Sequence, residues 1–197
     1  MVDIVEKNID AASCCLHVLE AGEPEGKDVV LLHGMKFNAA TWHELGTLEK
    51  LSAAGYHSLA LDMPGFGGSA VCEKSQDSVL SEFIIQGELD RPILIGPSMG
   101  GRIALEFALN HPGILGGLIL VGAVGVEDNK DRLSQLDLPL FIIWGGDDRI
   151  SPLMNSDTLL EKVKGAKRLI IEGAPHPCYL EQPDIWHSAV LEFIASL

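Results

Sequence analysis

Short apolar runs alternate with stretches of helical periodicity from about residue 28 onward. The apolar runs predict strands at Val29–Leu32, Ser58–Leu61, Ile93–Ile95, Leu118–Val121, Leu140–Trp144 and Arg168–Ile171. The periodic stretches predict helices at Thr41–Ala54, Ser75–Glu88, Met99–Asn110, Asn155–Lys164 and Pro183–Ser196. This repeated order predicts an α/β fold with a mostly parallel sheet and helices on both of its faces.

Ahead of these elements, Val2–Ile9 and Ser13–Glu20 predict an antiparallel hairpin that turns at Asp10-Ala11-Ala12. The chain has 197 residues, which is long enough for one well-filled core and short for two. It contains no repeat, low-complexity tract or flexible linker. We therefore expect residues 1–197 to form a single domain.

The net charge of −14 argues against nucleic acid or an anionic membrane as a partner, because both attract Lys and Arg. It favours neutral or cationic small substrates instead. The N-terminus lacks the pattern of a signal peptide, and the longest apolar run, Ile114–Val126, is too short to span a membrane. The four cysteines show no metal-ligand spacing, so we expect free thiols and a cytoplasmic location, with no disulfide.

The predicted strand Ile93–Ile95 leads into Gly96-Pro97-Ser98-Met99-Gly100, and a helix follows at once. This is a G-x-S-x-G motif in the strand–turn–helix setting in which it forms a nucleophile elbow. Such a turn exposes the Ser98 hydroxyl and directs the Met99 amide at the reacting oxygen. The alternative is a glycine-rich turn whose serine caps the helix.

A serine needs a base, and the acid and base follow an elbow of this kind in chain order. His176 follows the last predicted strand on a loop and is the candidate base. Asp147 and Asp148 follow the strand Leu140–Trp144, and either could orient the imidazole of His176. Three further histidines, His17, His43 and His57, have no evident partner in the sequence.

A second oxyanion donor is expected from the loop after the first parallel strand, where the Met35 amide is the candidate. His33 is expected to brace this loop. Its neighbours Gly34, Lys36 and Phe37 are candidate pocket residues, and Lys36 either approaches an anionic substrate group or is simply solvated. The segment Asp62–Ser69 fails as a dinucleotide fingerprint, and we expect it to form a wall of the site.

Together these residues resemble the α/β-hydrolase superfamily over nearly the whole chain. Two longer stretches resemble the abhydrolase-domain-containing-protein-14 type. The first comprises His33-Gly34-Met35-Lys36-Phe37, Thr41-Trp42, Leu45-Gly46-Thr47-Leu48, Ala54-Gly55-Tyr56 and Asp62-Met63-Pro64-Gly65, and the second comprises 173–180, Pro183 and Trp186-His187. Gly100 departs from this group, in which a serine can occupy the position.

The resemblance implies a hydrolase with little or no lid that acts on short acyl esters. The superfamily's spacing of glycine, two residues, aspartate, three residues and proline selects Asp148 over Asp147. Lids of this superfamily are inserted between the strands that end near Val121 and start near Leu140, and here residues 125–138 provide only about one short helix.

The sequence thus predicts a serine hydrolase with Ser98, His176 and Asp148 as its catalytic residues, a small acyl substrate, and no metal or other cofactor. Transfer of the acyl group to a thiol or another acceptor remains open, and so does a binding protein that kept the fold without turnover. Cys178, two residues after His176, either lines the pocket or is a buried structural thiol.

Overall fold

The computed structural model describes residues 2–197, which contain an eight-stranded sheet. Its strands are β1 (Ile4–Ala11), β2 (Cys14–Ala21), β3 (Lys27–Leu31), β4 (Tyr56–Leu61), β5 (Ile93–Pro97), β6 (Gly117–Val121), β7 (Leu140–Gly145) and β8 (Lys167–Ile171). They lie in the order β1-β2-β4-β3-β5-β6-β7-β8. Strands β3 to β8 pair in parallel, whereas β1 pairs antiparallel with β2 and β2 with β4. The predicted sheet and hairpin are therefore confirmed.

The helices cover both faces of this sheet. They are α1 (Ala40–Glu44), α2 (Thr47–Ala53), α3 (Gln76–Gln86), α4 (Met99–Asn110), α5 (Leu153–Lys162), α6 (Cys178–Glu181) and α7 (Pro183–Ala195). One apolar layer packs α3, α4 and α5 against the sheet, and the other packs α1, α2, α6 and α7.

The central strands supply side chains to both layers, because successive residues of a strand point to opposite faces. In β5, Leu94 belongs to the layer with α4, while Ile93 and Ile95 belong to the layer with α7. All five residues of β5 and all five of β6 are buried. This burial on both faces explains why these strands appear in the sequence as continuous apolar runs.

The predicted helix Thr41–Ala54 is in fact two short helices, α1 and α2. The break falls at Gly46, which has φ 76° and precedes the first residue of α2. That left-handed conformation cannot continue a right-handed helix, and glycine adopts it without steric cost.

The hairpin turn is shorter than the predicted turn at 10–12, and it begins two residues later. Ala12 and Ser13 connect β1 to β2, and both have positive φ, at 52° and 64°. A two-residue turn with positive φ at both positions matches the twist of the two strands. Neither residue is a typical signal for this turn, which is why the sequence did not locate it.

The expectation of four free thiols was wrong. Cys14 at the start of β2 and Cys72 in the loop after β4 form a disulfide, with their Cα atoms 5.7 Å apart. The two residues are 58 positions apart, so only the fold brings them together. Cys15 and Cys178 are free. Because two of the four cysteines form a disulfide, free thiols no longer support a cytoplasmic location. That location stays a prediction.

The histidines without an evident partner all contact carboxylates. The closest pairs are His17 Nδ1 with Asp62 Oδ2, His43 Nδ1 with Glu49 Oε1, and His57 Nδ1 with Asp28 Oδ1, each at 2.8 Å. For His17 and His57 the partners come from other strands or the loops after them, so the sequence alone could not show them.

The segment between β6 and β7 contains two single-turn 3-10 helices, Glu127–Asn129 and Leu133–Gln135. It is therefore too small to form a lid domain, as predicted. No helix within residues 2–197 is long and apolar enough to cross a membrane.

Candidate active site

Ser98 occupies a strained turn between β5 and α4. Its φ of 52° and ψ of −113° lie far from the conformations that a serine normally adopts. The backbone on both sides holds it there: the Ser98 amide donates to the Val121 carbonyl at 2.9 Å, and its carbonyl accepts from Val124 at 3.2 Å. Strain of this kind persists only where the surrounding structure imposes it, and it is concentrated at functional sites.

The glycines around Ser98 are required by close packing. A Cβ at Gly96 would collide with the carbonyl of Gly100, and a Cβ at Gly100 would lie 2.7 Å from the carbonyl oxygen of His33. A Cβ at Gly101 would lie 2.6 Å from that of Ala123. The motif is therefore a true strand–turn–helix elbow, with the loop after β3 pressed against the start of α4.

His176 lies on the loop after β8 and contacts the loop after β7. Its Nδ1 is 2.7 Å from Oδ2 of Asp148, whose side chain is fully buried. Its Nε2 is buried and has no hydrogen-bond partner in the part of the chain that the structure describes. Asp147 is exposed, so of the two adjacent aspartates only Asp148 reaches the imidazole.

The carboxylate of Asp148 is held by the backbone of its own loop. Oδ1 accepts hydrogen bonds from the amides of Ile150 and Ser151 at 2.8 and 2.9 Å, which leaves Oδ2 for His176. Three donors thus hold the carboxylate in one orientation. Asp148 therefore holds the imidazole of His176 at Nδ1, while Nε2 stays available to a substrate or nucleophile.

The two candidate oxyanion donors lie at the start of α4 and on the loop after β3. The Met99 amide is the first of α4, where helical geometry offers no acceptor within the helix. The Met35 amide donates no hydrogen bond to another residue of the range 2–197. Gly34 brings this loop close to the nucleophile, because a Cβ there would lie 3.7 Å from Cβ of Ser98.

Ser98 and His176 line one cavity of about 330 Å³ at the carboxyl ends of the parallel strands. Gly34, Met35, Lys36 and Phe37 of the loop after β3 also line it. In an open α/β sheet this is the edge at which ligands bind.

Comparison with known proteins agrees with this fold. A family profile for the alpha/beta hydrolase fold matches residues 28–133. The chain is 32% identical over 208 residues to ABHD14B of Rattus norvegicus, a candidate protein-lysine deacylase, with coverage of 100% of this chain and 98% of that protein. ABHD14B of Homo sapiens is 35% identical over 178 residues, which are 86% of this chain and 83% of that one. The chain belongs to the α/β-hydrolase family.

Within that family, this α/β hydrolase is similar to the ABHD14 proteins, and the family places it among hydrolytic enzymes. A crystal structure from Thermoplasma acidophilum, described as a predicted CIB-like hydrolase, has the same fold over 100% of both chains. Its TM-score is 0.95 and its sequence is 25% identical.

Two expected pocket residues of the α/β hydrolase lie behind the cavity wall. His33 is buried, with Nδ1 donating to the Gly34 carbonyl at 2.8 Å and Nε2 accepting from the Met63 amide at 3.1 Å. Acceptance at Nε2 requires a neutral ring, and burial lowers the pKa of His33 in the same sense. His33 thus braces the loop, as predicted, but does not line the cavity. Cys178 is fully buried, and burial, aided by the charge of Asp148, raises its pKa to about 12.

The segment Asp62–Ser69 does not line the cavity either, contrary to expectation. Asp62 accepts from the amides of Ala39 and Gly68, so its buried carboxylate ties this loop to the chain after β3. Asp62 supports the loop that carries Met35, because it anchors that loop through the Ala39 amide.

Five of the eleven residues that line the cavity were not predicted from the sequence. The additional lining residues are Pro97, Val121, Ile150, Pro177 and Tyr179. Each lies one to three residues from a recognised motif or at the end of a strand, so proximity to those positions was the available signal. Tyr179 is held by Trp42 and Trp186, with ring centroids 5.3 and 6.1 Å away.

Proposed function

We propose that this α/β hydrolase is a serine esterase that cleaves small acyl esters through Ser98, His176 and Asp148. One observation carries the proposal: His176 lines the same cavity as the strained Ser98, with Nδ1 on a buried carboxylate and Nε2 without a hydrogen-bond partner among residues 2–197. If Ser98 only capped helix α4, neither the strained backbone of Ser98 nor the free Nε2 of His176 in the same cavity would be explained.

In the proposed reaction, Nε2 of His176 takes the hydroxyl proton as Ser98 Oγ attacks the substrate carbonyl. The tetrahedral intermediate collapses, its bond to the leaving oxygen breaks, and the imidazolium returns the proton to that oxygen. Water then attacks the acyl-enzyme by the same route and releases the acid. Asp148 keeps its negative charge throughout and stabilises the imidazolium.

The amides of Met35 and Met99 are the proposed donors to the oxyanion. Both are backbone groups held by neighbouring packing, so they need no reorganisation when charge develops on the carbonyl oxygen. The chain itself provides every proton acceptor and charge in this sequence of steps, and the proposal includes no cofactor.

The size of the cavity favours short acyl groups. About 330 Å³ lies at the small end of the usual range for ligand pockets, and the segment between β6 and β7 adds no cover that could form an acyl tunnel. A small molecule is therefore the proposed substrate, with no nucleic acid or membrane as a partner.

The test is turnover of p-nitrophenyl acetate, butyrate and decanoate. We expect kcat/KM for acetate or butyrate to exceed that for decanoate at least about tenfold, because long chains lose contact with protein. Ser98→Ala should abolish turnover, and Ser134→Ala, at an exposed serine, should not. Equal turnover of all three esters would contradict the size argument, and activity in Ser98→Ala would contradict the mechanism.

A second candidate activity is removal of short acyl groups from lysine side chains. The relatives ABHD14B of rat and human carry that activity in their names, and an amide carbonyl would react by the same steps. Release of acetate from an acetyl-lysine peptide, with and without an added thiol acceptor, distinguishes hydrolysis, transfer and ester specificity. If none of these acyl compounds reacts, a binding role without turnover is the interpretation that remains.

A further inference from the structure

Lys36 is an unpaired cation beside the candidate nucleophile. It lines the cavity with Ser98 and His176, and no aspartate or glutamate lines that cavity. Within residues 2–197, no carboxylate lies within ion-pair distance of Lys36, as is the case for most of the lysines and arginines of the described chain. The position of Lys36 is what distinguishes it, because it lines the cavity of Ser98 and His176 with its charge free to meet a ligand.

A second, more open cavity of about 380 Å³ adjoins the first. The two share Ile150, His176 and Pro177, and the second is lined also by Asp147 and Arg149. Ser98 lines only the first. His176 therefore lies where the two cavities meet.

This arrangement separates the two parts of a substrate, if the reaction follows the proposed function. The acyl group stays bonded to Ser98 in the intermediate, so it lies in the cavity that Ser98 lines. The leaving group must receive its proton from His176 and depart past it, which places it toward the second cavity. Lys36 thus faces the acyl part of the substrate, and Arg149 lies on the side of the leaving group.

We propose that the preferred acyl group carries a carboxylate at its far end, which Lys36 binds. The substrate class is then a short dicarboxylic acid esterified at one end, and this inference rests on the proposed serine esterase. The apolar walls, Phe37 and Val121 among them, pack against the methylene groups between the two carboxyl carbons. The lysine stem is flexible and long enough to follow chains of slightly different length.

An anionic substrate departs from the expectation of a neutral or cationic one, because the net charge of −14 repels anions. Lys36 provides the local positive charge that offsets this repulsion in the cavity. Lys36 is itself exposed, so its attraction is screened by water and its expected effect is moderate.

The test compares p-nitrophenyl hemiglutarate with p-nitrophenyl valerate, which has a methyl group in place of the carboxylate. Enzymatic rates are taken above spontaneous hydrolysis, and the readout is the ratio of the two kcat/KM values. We expect Lys36→Met to lower this ratio about tenfold, as loss of a charge-assisted hydrogen bond would. A shift of the neighbouring Met35 amide would affect both esters and cancel in the ratio.

Arg149→Met is the matched control, because it removes the same charge from the other cavity. We expect it to leave the ratio within about twofold of the wild-type value, in line with the small effect of an exposed charge. An unchanged ratio in Lys36→Met, or a drop in Arg149→Met instead, would overturn the assignment while turnover of valerate upheld the esterase. Failure of the folded wild type to hydrolyse either ester would overturn both.

Discussion

The contact between Asp148 and His176 is the residue-level feature on which the proposed chemistry depends. Replacing Asp148 with Asn puts an amide where a carboxylate accepts the Nδ1 proton, which disfavours the required tautomer and leaves the imidazolium without its counter-charge. We expect kcat to fall by about 10²–10⁴-fold, while the fold is retained. The measurement is p-nitrophenyl acetate turnover together with circular dichroism.

Asp147→Asn is the matched control for this variant, since it makes the same chemical change at the adjacent, exposed residue. It should retain wild-type turnover within about threefold, as surface changes away from a site generally do. Equal losses in the two variants would contradict the assignment of Asp148.

His187 on α7 provides a prediction about pH. It is buried, its Nε2 is 3.0 Å from Oγ1 of Thr47, and burial, with the nearby charge of Lys50, lowers its pKa from 6.5 to about 4. Between these two values the unfolded chain binds a proton that the folded protein does not, so stability falls as pH drops from 6.5 toward 4.

Urea unfolding at pH 7.5 and pH 5.0 measures this effect. The wild type should lose about 2 kcal/mol more of its free energy of unfolding between these pH values than His187→Gln, which has no proton to gain. Identical losses in the two proteins would show that His187 does not contribute to the pH dependence.

At the scale of elements, the elbow depends on how closely the loop after β3 approaches α4. A Cβ at Gly100 would lie 2.7 Å from the carbonyl oxygen of His33, so Gly100→Ala must push the loop that carries the Met35 amide away from Ser98. We expect kcat to fall at least about tenfold and stability to fall by about 1–3 kcal/mol.

Gly113→Ala separates the two effects. Gly113 has φ 86° with open space around it, and it lies beyond the far end of α4. Alanine there should cost about 1–2 kcal/mol of stability through its backbone conformation, with turnover retained. If Gly113→Ala lost activity as Gly100→Ala does, destabilisation alone would explain both results.

The sequence predicted these elements well where local chemistry determines them. Helix α4 begins and ends at the predicted residues, Met99 and Asn110, because the elbow fixes its start and a proline follows its end. The helix predicted at Thr41–Ala54 was wrong because its apolar periodicity runs through Gly46, whose left-handed conformation appears only in three dimensions.

In the candidate site, too, some features follow from a short segment of sequence and others depend on the three-dimensional structure. Ser98, His176 and the loop at Met35 stand in motifs that a short segment of sequence contains, and the structure places all three around one cavity. The superfamily spacing within one loop selects Asp148 over Asp147. The contact of Asp148 with His176, the burial of Cys178 and the lining by Tyr179 depend on how separate loops pack, so no single segment contains that information.

For the whole molecule, the disulfide between Cys14 and Cys72 closes a loop of 58 residues that includes β3 and β4. Its reduction should lower the free energy of unfolding by about 2–4 kcal/mol, because the unfolded chain gains conformational freedom. Urea unfolding with and without a reductant measures the change, and Cys72→Ser should match the reduced protein.

Thiol titration in denaturant provides the control. The unreduced protein should show two thiols, from Cys15 and Cys178, and the reduced protein four. Four thiols before reduction would contradict the disulfide and restore the original argument for a cytoplasmic location.

The central claim is that Ser98 is an activated nucleophile, and labelling with a fluorophosphonate tests it most directly. The folded wild type should gain one probe mass, located by peptide mapping at Ser98. Ser98→Ala should not be labelled, and His176→Ala should be labelled at least about 10²-fold more slowly, since the base is then missing. His43→Ala, at a histidine whose side chain is 53% exposed, should label like the wild type. A folded wild type that takes up no probe, or takes it up elsewhere than Ser98, would contradict the account.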